Sequence, residues 1–277
     1  MVLGAMLWGT TGTAQALAPQ TATPLGIGAA RMVFGGAALL GVALIRRSLG
    51  TVRNLPLPLT LLSITAMASY QPFFFAGVAR TGVAVGSVVT VGSSPILAGL
   101  LAFFFLREVP ARIWYLSTAL AVAGCILLML PRGDLSTVDP AGVLLALMAG
   151  LSYSTFVLTG KRLSRVCTVD ALNAVVFSGA GLLLLPVFLL RPPVWMLDVR
   201  GALAALHLGL LATAAAYVLF LRGLTRVPAS TGVTLSLAEP LTATILGFVL
   251  LGERLEPLGF LGVGLLLLSV VLLSVRP

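Results

Sequence analysis

The chain has 277 residues, of which 59% are hydrophobic and only 9% are charged, with a formal net charge of +9 at pH 7. A soluble domain of this length could not bury so much apolar surface, so the composition excludes a soluble enzyme or a soluble binding module. It predicts an all-α polytopic membrane protein that is surrounded by the lipid bilayer.

The apolar runs are long enough to cross a membrane, because about 20 helical residues span a hydrocarbon core of ~30 Å. Irregular backbone cannot face lipid, so each run is predicted to be helical. Ten such runs follow one another with short loops and leave no room for a soluble domain. They are residues 1–18, 25–45, 58–79, 83–106, 113–130, 141–160, 171–190, 201–221, 229–251 and 257–275.

The first run could be read as a secretory signal peptide, because Ala14-Gln15-Ala16 resembles a cleavage site. No basic segment precedes it, and its removal would leave an odd set of spans. We therefore predict that it is a retained span, whose abrupt start is compatible with a further short cytosolic tail.

The distribution of basic residues indicates how the chain is oriented in the membrane, since Lys and Arg accumulate in cytoplasmic loops. With a cytoplasmic N-terminus, eleven Lys and Arg residues fall in inner loops and five in outer loops. This distribution predicts a multi-pass protein of a bacterial-type inner (cytoplasmic) membrane with both termini in the cytoplasm. The positive charge therefore does not indicate a nucleic-acid partner.

The second half of the chain resembles the first. At an offset of 146 residues, Gly77, Arg80 and Gly86 align with Gly223, Arg226 and Gly232, and at an offset of 145, Pro95, Leu106 and Glu108 align with Pro240, Leu251 and Glu253. Each copy holds five predicted spans, and an odd number makes two tandem copies enter the membrane in opposite directions. We predict two inverted five-helix repeats, residues 1–131 and 139–277, as in many secondary transporters.

Polar side chains recur at helical spacing within several spans, which puts each set on one helix face. In lipid, such a face either lines a wet cavity or forms hydrogen bonds between helices. The polar and aromatic candidates for lining a substrate cavity are Trp8, Thr11, Gln15, Arg31, Tyr70, Gln71, Ser94, Tyr153, His207, Tyr217 and Glu239.

Three of these candidates are ionisable groups inside spans, where such groups are rare and usually functional. Glu239 lies near the midplane and could bind a substrate ammonium group or carry a proton; otherwise it braces the adjacent proline kink. Arg31 lies ~9 Å below the surface at 1.5 Å per residue, where it could hold a substrate carboxylate or snorkel to the interface. His207 is interpreted as a helix-packing group rather than a proton relay.

Pro95 and Pro240 occupy matched positions deep in spans four and nine. A proline inside a helix removes a backbone hydrogen bond and usually kinks the helix. The pair is predicted either to form hinges for alternate opening or to fix two static bends.

Glycines in span ten, namely Gly259, Gly262 and Gly264, permit close helix packing either within one subunit or between two. We therefore expect a monomer or a homodimer.

The sequence lacks the patterns of an intramembrane enzyme. A zinc hydrolase would need a His-Glu-x-x-His helix, and the chain has one histidine. No Gly-x-Ser-x-Gly turn frames Ser93 or Ser94. Cys125 lies within a span and Cys167 in a loop, which indicates neither a disulfide nor a metal site. We expect no enzymatic activity, no cofactor and no metal.

Several short motifs resemble the EamA branch of the drug/metabolite transporter superfamily. They are Leu7-Trp8-Gly9, Arg31, Ser93-Ser94-Pro95, Leu106-Arg107-Glu108, Ala238-Glu239-Pro240 and Leu250-Leu251-Gly252-Glu253-Arg254. The resemblance covers both halves and implies ten helices in two inverted repeats around a central cavity. The chain departs from the family at Gly9, where Trp-Ser is frequent, and this difference bears on the substrate.

The resemblance further implies export of small metabolites, and the YddG-type members of the family export aromatic and other neutral amino acids. We therefore predict an alternating-access exporter of neutral or aromatic amino acids, with protons as a candidate coupling ion. The alternatives are export of cationic drugs or nucleoside-like metabolites, or a facilitative, channel-like pore.

Overall fold

The computed structural model describes residues 1–129, 139–190, 194–252 and 256–275, and within these ranges every regular element is helical. The helices are α1 (Val2–Leu17), α2 (Pro24–Ile45), α3 (Leu57–Gly82), α4 (Val85–Leu106), α5 (Arg112–Met129), α6 (Pro140–Leu163), α7 (Val169–Leu190), α8 (Val199–Leu224), α9 (Ala229–Leu250) and α10 (Pro257–Val275). Short 3₁₀ segments at Leu49–Asn54 and Val194–Leu197 precede α3 and α8.

Eight of these helices are long and apolar enough to cross a membrane, namely α2 to α4 and α6 to α10. The other two, α1 and α5, have 16 and 18 residues. The prediction of a helical, multi-pass membrane protein is therefore confirmed. Length and composition support eight of the ten predicted spans in the described part of the chain.

Helices α2, α6 and α8 begin at the same end of the bundle, and each begins with a side-chain cap. Thr23 accepts a hydrogen bond from the Gly26 amide at 3.2 Å, and Asp139 accepts one from the Ala141 amide at 2.9 Å. Asp198 caps α8 in the same way. These oxygens satisfy amide groups that have no partner within the first helical turn, so the polar loop residues fix where the helices start.

The two halves of the chain break their helices at corresponding positions. Helix α3 passes into α4 at Gly82, whose φ of 81° favours glycine, and the aligned position in the second half is Pro228, just before α9. Helix α4 is followed by Arg107 with φ 56°, and α9 by Gly252 with φ 67°. Gly252 lies 145 residues after Arg107, the offset at which the sequences align.

Helices of the first half of the chain pack against helices of the second half. Helix α6 packs on the α3–α4 pair, and α1 packs on α8 and α9. Helix α2 packs on α7, and α5 packs on α10. In the last pair the backbones touch, because a Cβ at Gly124 would lie 2.8 Å from the Gly262 carbonyl oxygen and the reverse distance would be 2.7 Å. Gly262 thus serves packing within one subunit.

The two aligned prolines have different effects on their helices. Helix α9 is interrupted by a turn at Ser236–Leu237, where Leu237 donates to the Thr234 carbonyl at 3.1 Å and Glu239 donates to the Ser236 carbonyl at 2.9 Å. Pro240 lacks an amide hydrogen and crowds the carbonyl four residues before it, which weakens the helix at this point. Helix α4 continues through Pro95 without a break.

Candidate functional site

The structure contains a central cavity at mid-depth of the bundle, between α1, α2, α3, α4, α6, α8 and α9. Its lining consists of Trp8, Arg31, Tyr70, Gln71, Thr90, Val91, Ser94, Tyr153, Tyr217, Ser236, Leu237 and Glu239. The space open to the centre of a water molecule is about 50 Å³, so the cavity is narrow in this conformation. Eight of the eleven predicted residues line it.

Glu239 supplies the one carboxylate in this lining, and it sits directly after the turn that interrupts α9. Its side chain forms no ion pair with a described residue. Helix α1 approaches the same point closely, since a Cβ at Gly9 would lie 2.7 Å from the Glu239 carbonyl oxygen and 2.6 Å from the Thr242 side chain. Gly9 therefore allows α1 to pack against the interrupted part of α9, and a serine there would require the helices to move apart.

Arg31 supplies the one cationic side chain in the lining, and it is held by α8. Its Nε donates to Thr213 Oγ1 at 3.2 Å, and its Nη2 donates to the Ala212 carbonyl oxygen at 3.4 Å. These contacts turn the guanidinium group toward the interior of the bundle. They argue against the alternative that the Arg31 side chain snorkels to the membrane surface.

One wall of the cavity is aromatic. The ring of Trp8 lies 4.7 Å from Tyr217, 4.9 Å from Phe220 and 6.2 Å from Tyr153, measured between centroids, and Tyr70 lies 6.1 Å from Tyr153. Trp8 Nε1 has no hydrogen-bond partner among the described residues. Buried polar groups are normally paired, so this wall has a polar group available to a ligand.

Three predicted lining residues lie outside the cavity. Thr11 and Gln15 are ~4.5 and ~10 Å beyond Trp8 along α1, at 1.5 Å per residue, so they share its helix face but not its depth. His207 lies ten residues, or ~15 Å, before Tyr217 on α8 by the same rise. His207 Nε2 contacts Thr10 Oγ1 at 2.7 Å, which makes it a contact between α8 and α1.

Charged residues that the sequence reasoning left out of the site tie the helices together at one end of the bundle. Glu108, just after α4, pairs with Lys161 at 2.8 Å and accepts a hydrogen bond from the Ala229 amide at 2.9 Å. Lys161 also donates to the Val227 carbonyl at 2.6 Å. The sequence signal for Glu108 is its place in the repeat alignment, where it matches Glu253.

A second group of charges lies at the same end. Asp170, near the start of α7, pairs with Arg46 at 3.1 Å and with Arg222 at 3.0 Å. At the opposite end, Arg80 pairs with Asp139 at 3.4 Å, and both side chains are exposed to solvent. The described ion pairs are therefore more numerous and less exposed at the Asp170 end.

The cysteines are both buried free thiols. Burial raises the pKa of the Cys167 thiol, although a contact with Thr51 opposes this effect. Within the described residues, no group of three His, Cys, Asp or Glu side chains is arranged to hold a metal ion.

Residues 1–130 and 140–275 match the EamA-like transporter family. The chain belongs to this family. It is 46% identical over 277 residues to the uncharacterized transporter YwfM of Bacillus subtilis (strain 168), a match that covers 100% of this chain and 93% of that protein. The family resemblance that the sequence motifs carry is confirmed, and the protein is a multi-pass membrane transporter.

Another relative has a stated substrate. The threonine/homoserine exporter RhtA of Escherichia coli (strain K12) is 34% identical over 170 residues, which cover 59% of this chain and 54% of RhtA. Among solved structures, a crystal structure matches 99% of this chain and 94% of its own chain with a TM-score of 0.83 at 21% identity. At that identity the match shows a shared fold only.

Proposed function

We propose that this transporter exports neutral amino acids, in their zwitterionic form, by alternating access; within the predicted class of neutral or aromatic amino acids, the similarity to a threonine/homoserine exporter favours the small ones. In this proposal Arg31 binds the substrate carboxylate, and Glu239 binds the ammonium group or a proton. The observation that carries it is the cavity lining, which combines one cation, one carboxylate and an aromatic wall without an ion pair between the two charges. The partial similarity to a threonine/homoserine exporter supports the same substrate class.

We further propose that the ten helices form two inverted five-helix repeats. Exchanging the halves converts the packing of α1 on α8 and α9 into that of α6 on α3 and α4, and it leaves the α2–α7 and α5–α10 pairs unchanged. The aligned helix breaks at Gly82 and Pro228, and at Arg107 and Gly252, support the same relation. Such repeats are the usual basis of alternating access.

In the membrane, we propose that both termini are cytoplasmic in a bacterial-type inner membrane. The Asp170 end is then cytoplasmic, and its ion pairs belong to a conformation in which the cytoplasmic side is closed. We expect transport without enzymatic activity. The oligomeric state is left as monomer or homodimer.

The alternatives differ in how well they suit Arg31. A cationic drug would meet a fixed positive charge in a site of low dielectric, which is unfavourable. A nucleoside would fit the aromatic wall but would leave Arg31 and Glu239 without charged partners. A zwitterion pairs with both residues.

The test is counterflow in proteoliposomes that contain the purified protein. Vesicles preloaded with unlabelled threonine should accumulate labelled threonine transiently, and phenylalanine, a nucleoside and a cationic drug should compete less well or not at all. Uptake that unlabelled threonine inside does not stimulate would indicate a pore. Accumulation of the nucleoside or the drug in place of amino acids would overturn the substrate assignment. Abolishing a proton gradient in the same vesicles tests whether protons are coupled.

A further inference from the structure

The part of α8 that contacts Arg31 is not a regular α-helix. Residues His207–Ala215 form a π-helical segment, in which the Ala216 amide bonds to the Leu211 carbonyl. Within it, Thr213 Oγ1 donates to the Leu208 carbonyl at 2.8 Å and accepts the hydrogen bond from Arg31 Nε. Departures from the regular α-helix of this kind are frequent at functional sites. Both hydrogen-bonding functions of the Thr213 hydroxyl are thus in use.

The carbon part of Thr213 is fixed as well. Gly35, one turn after Arg31 on α2, faces it so closely that a Cβ at Gly35 would lie 2.8 Å from Thr213 Cβ and 3.2 Å from the Gly209 carbonyl oxygen. Thr213 is fully buried between the two helices. Its position on α8 therefore determines where the Arg31 guanidinium group can lie.

The contacts with α8 leave part of the guanidinium group free. An arginine side chain has five N–H donors, and α8 uses one on Nε and one on Nη2. Among the described residues, nothing else bonds to the Nη1 group or to the second Nη2 hydrogen, and Arg31 lines the cavity with Glu239. Two adjacent donors in one plane suit a carboxylate, which arginine often binds through two parallel hydrogen bonds.

We propose that Thr213 is a positioning residue for substrate selection, which holds Arg31 in the orientation that receives a carboxylate. This inference rests on the proposed function, because it requires that Arg31 binds the substrate carboxylate. The π-helical segment has a direct role in it, because its Thr213 hydroxyl and its Ala212 carbonyl both accept hydrogen bonds from Arg31 on α2.

The experiment compares Thr213→Val, which keeps the shape and removes the hydroxyl, with Thr213→Ser, which keeps the hydroxyl. In threonine counterflow, Thr213→Val should raise KM about tenfold with little change in kcat, because Arg31 loses a hydrogen bond to a charged group that orients it. Thr213→Ser should stay within about twofold of the wild type, because the charge-assisted bond is kept. The amino alcohol of threonine, used as a competitor, lacks the carboxylate, so its apparent affinity should be nearly the same in all three proteins.

The inference is overturned if Thr213→Val weakens the amino alcohol as much as threonine, or lowers kcat alone, because either result indicates a general structural role. It is also overturned if Thr213→Val behaves as the wild type while Arg31→Ala loses threonine transport, and the proposed function then stands. Normal threonine transport by Arg31→Ala would reject the proposed function itself. If Thr213→Val does not fold, Thr213→Ala tests the same loss of the hydroxyl with less crowding at Gly35.

Discussion

Helices α4 and α9 occupy aligned places in the two halves, yet they respond differently to their prolines. In α4, Ser94 precedes Pro95, its hydroxyl donates to the Thr90 carbonyl at 2.7 Å, and the helix is continuous. In α9, Glu239 precedes Pro240, and the helix is interrupted one turn earlier. The comparison shows that a proline alone does not determine whether a membrane helix breaks.

The neighbours of the two helices explain part of the difference. Helix α4 is tied to α6 by Thr90, which donates to the Ala146 carbonyl at 3.1 Å, and by Ser154, which donates to the Ser94 carbonyl at 2.9 Å. Helix α9 instead faces Gly9 of α1, which offers no side chain at this point. The interrupted helix α9 is also the one that carries Glu239. The place where α9 differs from α4 is therefore also the place where a carboxylate enters the cavity.

The largest effect should come from Glu239, the residue before Pro240, whereas Ser94, the residue before Pro95, should matter little. Glu239→Gln removes the charge that we assign to the substrate ammonium group or to a proton, and it should lower threonine counterflow by about 10- to 100-fold, as expected for a charged hydrogen bond of 1.5–3 kcal/mol. Ser94→Ala is the matched control, and it should stay within about twofold because its hydroxyl bonds within its own helix. Initial rates at equal amounts of reconstituted protein measure both. Equal losses of counterflow in Glu239→Gln and Ser94→Ala would contradict the proposed functional difference between α9 and α4.

A smaller effect should come from the prolines themselves. Pro240→Ala restores an amide donor for the Ser236 carbonyl and favours a straight α9, so we expect a several-fold loss of turnover if the interruption takes part in opening. Pro95→Ala should change transport little, because α4 is already continuous. The measurement is kcat in counterflow, together with thermal stability in detergent as a control for folding. A greater loss in Pro95→Ala than in Pro240→Ala would contradict the difference seen between the helices.

Much of the fold follows from hydropathy and length. The predicted spans 25–45 and 257–275 agree closely with α2 (Pro24–Ile45) and α10 (Pro257–Val275), because lipid forces an apolar segment of this length to satisfy its own backbone. The predicted span 58–79 ends three residues before the observed end of α3 at Gly82. The prediction separates spans 58–79 and 83–106 at this place, but hydropathy does not show that one backbone angle at Gly82, without a loop, makes the break.

The site could be predicted only in part. Arg31 and Glu239 stood out because a charge inside a span needs a polar environment. His207 meets the same criterion but lies outside the cavity. Sequence spacing indicates which face of a helix a residue occupies, but it does not show whether the residue lies at the depth of the cavity. Thr213 could not be recognised, since the π-helical segment shifts side chains away from the 3.6-residue period that the sequence analysis assumes.

The central claim is that Glu239 and Arg31 bind the two ends of one zwitterion, and one competition measurement tests it directly. Threonine and its deaminated analogue, which keeps the carboxylate, should be compared as competitors of counterflow in the wild type and in Glu239→Gln. The account predicts that the wild type prefers threonine by at least about tenfold, as for loss of one charged hydrogen bond, and that Glu239→Gln binds the two nearly equally. An undiminished preference for threonine in Glu239→Gln would contradict the account.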